Sequence, residues 1–250
     1  MEHFDQLQGK TALVTGAAAR LGAATARELH AAGARVMIHY RSSAGPAEAL
    51  RDELLTGRPD SAATVQGDLG DPASWPRLIE ATVAFGGGLD VLINNASSYY
   101  PTPVGQATIR HWNDLFASNA QAPFFLAQAA APELRKRHGC IVNMVDIHAE
   151  RPLADHPVYC MAKAANAMMV KALARDLAPE VRVNGIAPGA ALWPADSLED
   201  TEKQEILKRI PMQRVAGAEQ IAAAVMCMVT GPDYVTGQIL AVDGGRSVQQ

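Results

Sequence analysis

Residues 11–22 read Thr11-Ala12-Leu13-Val14-Thr15-Gly16-Ala17-Ala18-Ala19-Arg20-Leu21-Gly22. A β-branched, apolar run ends at Thr15, a turn of small residues follows, and an alanine-rich helical pattern over 20–32 begins. Small residues let the backbone turn tightly and approach a ligand closely. The free N–H groups at a helix start, with the helix dipole, favour a pyrophosphate. The stretch therefore predicts a first strand, a phosphate loop and a first helix in that order.

Outward from this unit the same alternation continues. Further strand-like runs lie at 35–40, 63–66, 91–94, 140–145, 181–186 and 238–242, and helical patterns at 46–55, 72–85, 111–137, 157–178 and 218–229. Strand runs that are apolar without alternating suit a parallel sheet covered on both faces. The pattern predicts α/β architecture: one doubly wound domain over 1–250, with a seven-stranded parallel sheet and helices on both faces. One segment breaks the rhythm. From Pro188 to about Ile210 comes a Pro-Gly pair, a loop with Trp193 and Pro194, then a short polar pattern. In an open α/β sheet, ligands bind outside the carboxyl ends of the strands. A long insertion after the sixth strand lies at that edge, so residues 190–210 are expected to form a lid.

Composition narrows the partners. The 250 residues carry 22 Lys and Arg against 26 Asp and Glu, a formal net charge of −4, and 48% are hydrophobic. A mildly acidic globular chain without basic blocks is a poor partner for nucleic acid or anionic membrane. Cys140, Cys160 and Cys227 form no C-x-x-C pair, which suits a reducing compartment. The pattern calls for no metal. Residues 1–8 include Glu2 and Asp5 and lack the apolar core of a signal peptide. The most apolar stretch, 221–230, is half the length of about 20 residues that a membrane span needs. A cytoplasmic protein is expected.

The end of the second strand selects the dinucleotide. An NAD site places Asp or Glu there for the ribose 2′-OH. This chain has Ile38-His39-Tyr40-Arg41-Ser42-Ser43 instead, with no carboxylate, and Arg41 with the serines suits a 2′-phosphate. NADPH is therefore the expected cofactor. Asp68-Leu69 follows the third strand and Asn94-Asn95-Ala96-Ser97 the fourth, where adenine and ribose would pass. Asp68 equally suits a cap for the helix starting near Pro72.

Tyr159 and Lys163 stand four apart at the start of a helical pattern, which puts both on one face. A free tyrosine, with a pKa near ~10, is a poor acid–base group at neutral pH. An ammonium one turn on, helped by an oxidised nicotinamide, is expected to lower that pKa, so that the phenol can pass a proton as hydride arrives. The lysine can also hold the nicotinamide ribose. Asp146 ends the fifth strand thirteen residues before Tyr159. Asn119 falls inside the long 111–137 pattern, where its amide could hold a water between the lysine and solvent.

Together, Thr15-Gly16-x-x-x-Arg20-x-Gly22, Asn94-Asn95-Ala96, Asn119, Tyr159-x-x-x-Lys163 and Pro188-Gly189 resemble the short-chain dehydrogenases/reductases, from strand one to Val242-Asp243-Gly244-Gly245. The resemblance implies a Rossmann-type domain, a homotetramer, and cofactor contacts from Gly16, Arg20, Leu21, His39, Tyr40, Arg41, Ser42, Asp68, Leu69, Asn95, Ala96, Ser97, Asn119, Tyr159, Lys163, Pro188 and Gly189. The long patterns 106–137 and 157–178 carry more apolar residues than one sheet face needs, consistent with assembly.

Three departures point within the family. Arg20 replaces the second glycine of the phosphate loop, Ser97 the glycine after Asn-Asn-Ala, and Asp146 the serine before the tyrosine. With the basic residues after strand two and the aromatic Tyr99, these look like the pteridine reductases, with bacterial dihydromonapterin reductases as close relatives. The resemblance implies NADPH-dependent reduction of a pterin or folate, from dihydrobiopterin, dihydromonapterin or dihydrofolate to the tetrahydro form, through an Asp146–Tyr159–Lys163 proton relay. Tyr99 would stack on a flat pterin, Ser97 and Arg20 would bond its polar edge, the Asp146 carboxylate would favour the protonated phenol and could accept from an N–H, and Trp193 would either cap the pterin or pack the lid. One rival is an NADPH carbonyl reductase of a 3-oxoacyl thioester or sugar. Asp146 argues against it, because a carboxylate repels a developing alkoxide. The other is a non-catalytic NADP(H)-binding regulator, which has no need of an intact Tyr159–Lys163 pair.

Overall fold

In β1 (Thr11–Val14), Ala12 and Val14 enter one apolar cluster and Leu13 another. The same split occurs in β2 (Arg35–Tyr40), where Val36 and Ile38 oppose Met37, and in β4 (Val91–Asn94), where Val91 and Ile93 oppose Leu92. Successive strand side chains point to opposite faces, so a run apolar at every position needs a cover on each side. The computed structural model, which describes residues 6–192 and 199–248, supplies both. One face is covered by α1 (Arg20–Ala31), α2 (Ala44–Gly57) and α8 (Ala218–Thr230). The other is covered by α3 (Ser74–Gly86), α5 (Ala122–Arg137) and α6 (Pro157–Leu177).

With β3 (Ala62–Gln66), β5 (Cys140–Met144), β6 (Arg182–Pro188) and β7 (Ile239–Val242), the sheet has seven strands in the order β3-β2-β1-β4-β5-β6-β7, every neighbouring pair parallel. The chain thus forms the α/β, seven-stranded parallel architecture expected of a Rossmann-type domain. The winding reverses between β1 and β4, and the carboxyl ends on either side of that reversal form the crevice where such sheets bind ligands. The two ends are tied together. Thr15 Oγ1 accepts from the N–H groups of Asn95 (2.9 Å) and Ala96 (3.0 Å), and Asn95 Nδ2 donates to the carbonyls of Thr15 (2.8 Å) and Gly16 (3.1 Å).

The long 111–137 pattern is not one regular helix. It divides into α4 (Ile109–Phe116), a wide π-type turn over Ala117–Gln121 and α5. Pro123 stands at the start of α5 and has no N–H to give the carbonyl four residues back. The sequence pattern also misses the start of α4, where Thr108 accepts from His111 N (3.2 Å) and His111 Nδ1 accepts from Thr108 N (3.3 Å) in a reciprocal cap. In the expected lid, Leu192 N donates to the Ala216 carbonyl and a short polar helix, α7 (Asp200–Lys208), buries none of its residues. Trp193 lies outside the described residues. Among the described residues no helix is long and apolar enough to cross a membrane.

Candidate active site

A cleft of about 670 Å³ opens at the winding reversal. Gly16, Arg20, Leu21, His39, Tyr40, Arg41, Ser42, Asp68, Leu69, Asn95, Ala96 and Ser97 all line it. Its floor requires two glycines. Gly16 has φ +60°, and a Cβ there would lie 3.0 Å from Ala96 Cα. A Cβ on Gly22 would run into the Gly16 carbonyl oxygen and come within 2.6 Å of Asn95 Nδ2. Ala19, before α1, offers no side-chain cap, and the first turn of α1 carries no acid. The first N–H groups of a helix have no intrahelical partner, so this helix start suits an anion.

His39 organises the loop from below. It is buried, its Nδ1 accepts from Gly16 N at 3.1 Å, and its Nε2 donates to the Gly67 carbonyl at 3.1 Å. Its own carbonyl accepts from Ala17 N. An acceptor at Nδ1 and a donor at Nε2 define the neutral imidazole with its proton on Nε2, and burial keeps the pKa below the ordinary histidine value. His39 lines the cleft as expected, but both ring nitrogens are engaged by the protein. It therefore shapes the phosphate loop rather than offering a free nitrogen to phosphate.

At the rim, Arg20, Arg41 and Ser42 are exposed. Neither guanidinium has an ion-pair partner among the described residues. A dinucleotide with a phosphorylated ribose fits this set: glycine floor, uncapped helix start and two uncommitted arginines. Asp68 Oδ1 accepts from Gly70 N (2.8 Å) in a local turn. It does not cap α3, which begins at Ser74. Asp71 instead takes the Ala73 N–H at 3.0 Å.

The candidate reacting groups lie beyond Ser97. Asp146 follows β5, and its Oδ1 accepts from His148 N (2.8 Å), which fixes the carboxylate. Its Oδ2 accepts the Tyr159 hydroxyl at 2.7 Å. Tyr159 and Lys163, one turn apart on α6, are both buried. Lys163 Nζ donates to the Met144 carbonyl at 2.8 Å and stands 5.7 Å from the Tyr159 ring centre.

This arrangement decides between two expectations, a lysine that lowers the Tyr159 pKa and a carboxylate at Asp146 that favours the protonated phenol. The Tyr159 phenol is not made more acidic by its lysine. Burial raises its pKa well above the ordinary value, and the Asp146 charge and hydrogen bond raise it further. Burial draws the Lys163 ammonium down to about 8, with the Asp146 charge opposing part of the fall. The carboxylate touches the phenol and the ammonium does not, so the carboxylate governs.

Tyr99 stands beside these groups, edge-on to the Tyr159 ring at 5.0 Å between centres and stacked on His156 at 4.8 Å. It is 57% exposed. His156 belongs to no motif that would single it out. Asn119 sits in the π-type turn. Its Nδ2 donates to the carbonyls of Ser98 (2.9 Å) and Leu115 (3.0 Å), and its Oδ1 accepts from Ser97 Oγ (2.7 Å). Its amide is thus committed to the protein rather than to a water, because the loop after β4 packs directly against the turn. Pro188 ends β6, and Gly189 N donates to the Val242 carbonyl at 3.1 Å. Neither lines the cleft, and neither do Asn119, Tyr99, Asp146, Tyr159 or Lys163.

A family model described as "Enoyl-(Acyl carrier protein) reductase" matches residues 16–247. The chain belongs to the short-chain dehydrogenase/reductase family. It is 36% identical to "Pteridine reductase 1" of Leishmania tarentolae over 95% of this chain and 96% of the relative. It is 35% identical to "3beta-hydroxysteroid dehydrogenase 1" of Eggerthella lenta, covering 98% and 96%. It is 32% identical to a 3-oxoacyl-(acyl-carrier-protein) reductase of Staphylococcus aureus, covering 94% and 97%. This short-chain dehydrogenase/reductase is therefore an oxidoreductase of a family whose members use NAD(P)H. Its relatives act on chemically unlike substrates at similar identity, so the choice of substrate rests on the residues around Tyr159.

Proposed function

We propose that this oxidoreductase reduces a dihydropterin or dihydrofolate to the tetrahydro form with NADPH. The observation that carries the reading is the Asp146 carboxylate on the Tyr159 hydroxyl at 2.7 Å. Reduction of a C=N bond adds hydride to carbon and a proton to nitrogen. When bound, NADPH supplies the hydride. A nitrogen that takes up a proton carries positive character, which a fixed carboxylate favours. A ketone instead develops an alkoxide, which the same carboxylate opposes. Asp146 keeps Tyr159 protonated, so the hydroxyl–carboxylate pair holds a proton at neutral pH for a reacting nitrogen to draw on. Lys163, drawn down to about 8 by burial, can return a proton to the relay.

The cleft and the residues beside Tyr159 supply the rest. Arg41 and Ser42 would hold the 2′-phosphate, and the start of α1 the pyrophosphate. Tyr99, an exposed ring against Tyr159, would give a flat substrate a stacking face. The identity to a pteridine reductase along nearly the whole chain supports the same reading. A second reading, carbonyl reduction, is favoured by the steroid dehydrogenase and 3-oxoacyl reductase relatives. We further propose a cytoplasmic homotetramer. Exposed Trp112, Phe124, Met161 and Met168 on α4, α5 and α6 support assembly through those helices.

The test follows cofactor absorbance with NADPH or NADH and with dihydrobiopterin, dihydromonapterin, dihydrofolate and a ketone panel. Dihydropterin or dihydrofolate turnover with NADPH is expected. Turnover of ketones alone would establish the second reading.

A further inference from the structure

The π-type turn that holds Asn119 has a donor problem. In an α-helix the Asn119 carbonyl would accept from the N–H of residue 123, but residue 123 is proline. The carbonyl is nevertheless satisfied, by Asn166 Nδ2 of α6 at 2.7 Å. Asn166 lies three residues beyond Lys163 and is 1% exposed. Nothing in the short-chain motifs calls for an amide there.

We propose that Asn166 is a positioning residue: its side chain replaces the backbone donor that Pro123 withholds, and so holds Asn119 where Asn119 clasps the Ser97–Ser98 wall of the cleft. Three observations carry this. The first is the coincidence, on one carbonyl, of the α-helical donor missing at Pro123 and the amide supplied by Asn166. The second is that the sense of the amide is forced. A carbonyl oxygen can only accept, so the Asn166 atom facing it is nitrogen. Asn166 Oδ1 then faces β5, where it accepts from Asn143 Nδ2 at 2.9 Å, and Asn143 Oδ1 accepts from Asn94 Nδ2 at 2.9 Å. Three buried amides on β4, β5 and α6 thus run head to tail and end on Asn119. The third is what Asn119 does in return. It donates to the Ser98 carbonyl and accepts from the Ser97 hydroxyl, while Ser118 Oγ of the same turn accepts from Ser98 N at 3.1 Å. Ser97, Ser98 and Ser118 all line the cleft. A buried amide is unfavourable unless its bonds are made, and an apolar residue at 166 would fill the core without that cost. The amide is explained by the carbonyl it serves. The proposal holds whichever substrate the site takes.

The test asks whether a backbone donor can stand in for the side chain. Hydrogen exchange is followed in peptides spanning 95–100 and 115–122, with β2 as internal reference, in wild type, Asn166→Ala, Pro123→Ala and the double variant. Removing the side-chain donor from this buried carbonyl is expected to speed exchange in both peptides roughly ten- to hundredfold in Asn166→Ala, with β2 unchanged. Adding Pro123→Ala to Asn166→Ala restores an N–H at 123 and should recover most of the protection, and with it reductase turnover. Pro123→Ala alone should change exchange little. If Asn166→Ala is insoluble alone but folds with Pro123→Ala, the proposal also stands. If the double variant exchanges as fast as Asn166→Ala, or both fail to fold alike, Asn166 does not act through the Asn119 carbonyl and the proposal falls.

Discussion

The Tyr159 hydroxyl donates a hydrogen bond to Asp146 Oδ2 across 2.7 Å, while the Lys163 ammonium, on the same helix, donates to the Met144 carbonyl. The two residues of the Y-x-x-x-K motif therefore point to different partners. The phenol is coupled to a carboxylate, which keeps it protonated. The ammonium is coupled to a strand carbonyl in a fully buried position, which makes it easier to deprotonate.

That division predicts the pH profile. The Tyr159 proton stays in place through the neutral and mildly alkaline range, so it should produce no inflection there. Lys163, drawn down to about 8 by burial, loses its proton in that range. Reductive kcat should hold below pH 8 and fall as pH rises through about 8, and the residual turnover of Lys163→Met should lack that limb. A wild-type profile flat to pH 10 would show that the lysine proton is not part of the relay.

The same lysine predicts a trade between activity and stability. Its folded pKa lies below the unfolded value of 10.5, so between about 8 and 10.5 the unfolded chain binds the extra proton and stability rises with pH. At pH 7 the buried charge disfavours the fold by at most about 3 kcal/mol. Lys163→Met should therefore melt higher than wild type at pH 7 while losing turnover. The stability gap should narrow as pH approaches 10. A lower melting temperature in the variant would contradict the assignment of burial as the dominant cause.

Arg41 tests the cofactor. It is exposed on the cleft rim without an ion-pair partner among the described residues. A charge-assisted bond to phosphate contributes enough that Arg41→Ala should weaken NADPH roughly ten- to hundredfold and leave NADH nearly unchanged. Titration with both cofactors reads this directly, and equal losses for the two would place Arg41 away from the 2′-phosphate.

Gly22 tests the floor of the cleft. A methyl group there meets the Gly16 carbonyl and Asn95 Nδ2, which belong to the two tied strand ends. Gly22→Ala should abolish measurable cofactor binding and lower the melting temperature. Normal cofactor affinity in the folded variant would show that the loop is looser than its contacts imply.

The fold was legible because its signals are local. The apolar run ending at Tyr40 needs two covers wherever it lies, and the small residues after Thr15 can only turn. The candidate site was legible where residue type dictates chemistry, as at Asp146, Tyr159 and Lys163. It was not legible where chemistry depends on distant partners. His39 reads as a basic residue for phosphate, yet Gly67, at the end of another strand, takes its second nitrogen. Lys163 reads as a neighbour that acidifies Tyr159 and Asp146 as one that keeps it protonated, and spacing along a helix does not say which of them the hydroxyl will meet. The interruption of the long helix at Asn119 did leave a mark, the proline four residues on. Its partner Asn166 could not be found by spacing, because the two lie on helices 47 residues apart in the chain.

The most direct test of the central claim is the partition between C=N and C=O substrates in Asp146→Ser, which restores the residue usual in the family. If the carboxylate on Tyr159 selects a protonating ring nitrogen, kcat/KM for the best dihydropterin or dihydrofolate should fall by at least about 100-fold, while ketone turnover is kept or rises. A variant that reduces dihydropterins as well as the wild type does, with ketones unchanged, would contradict the account.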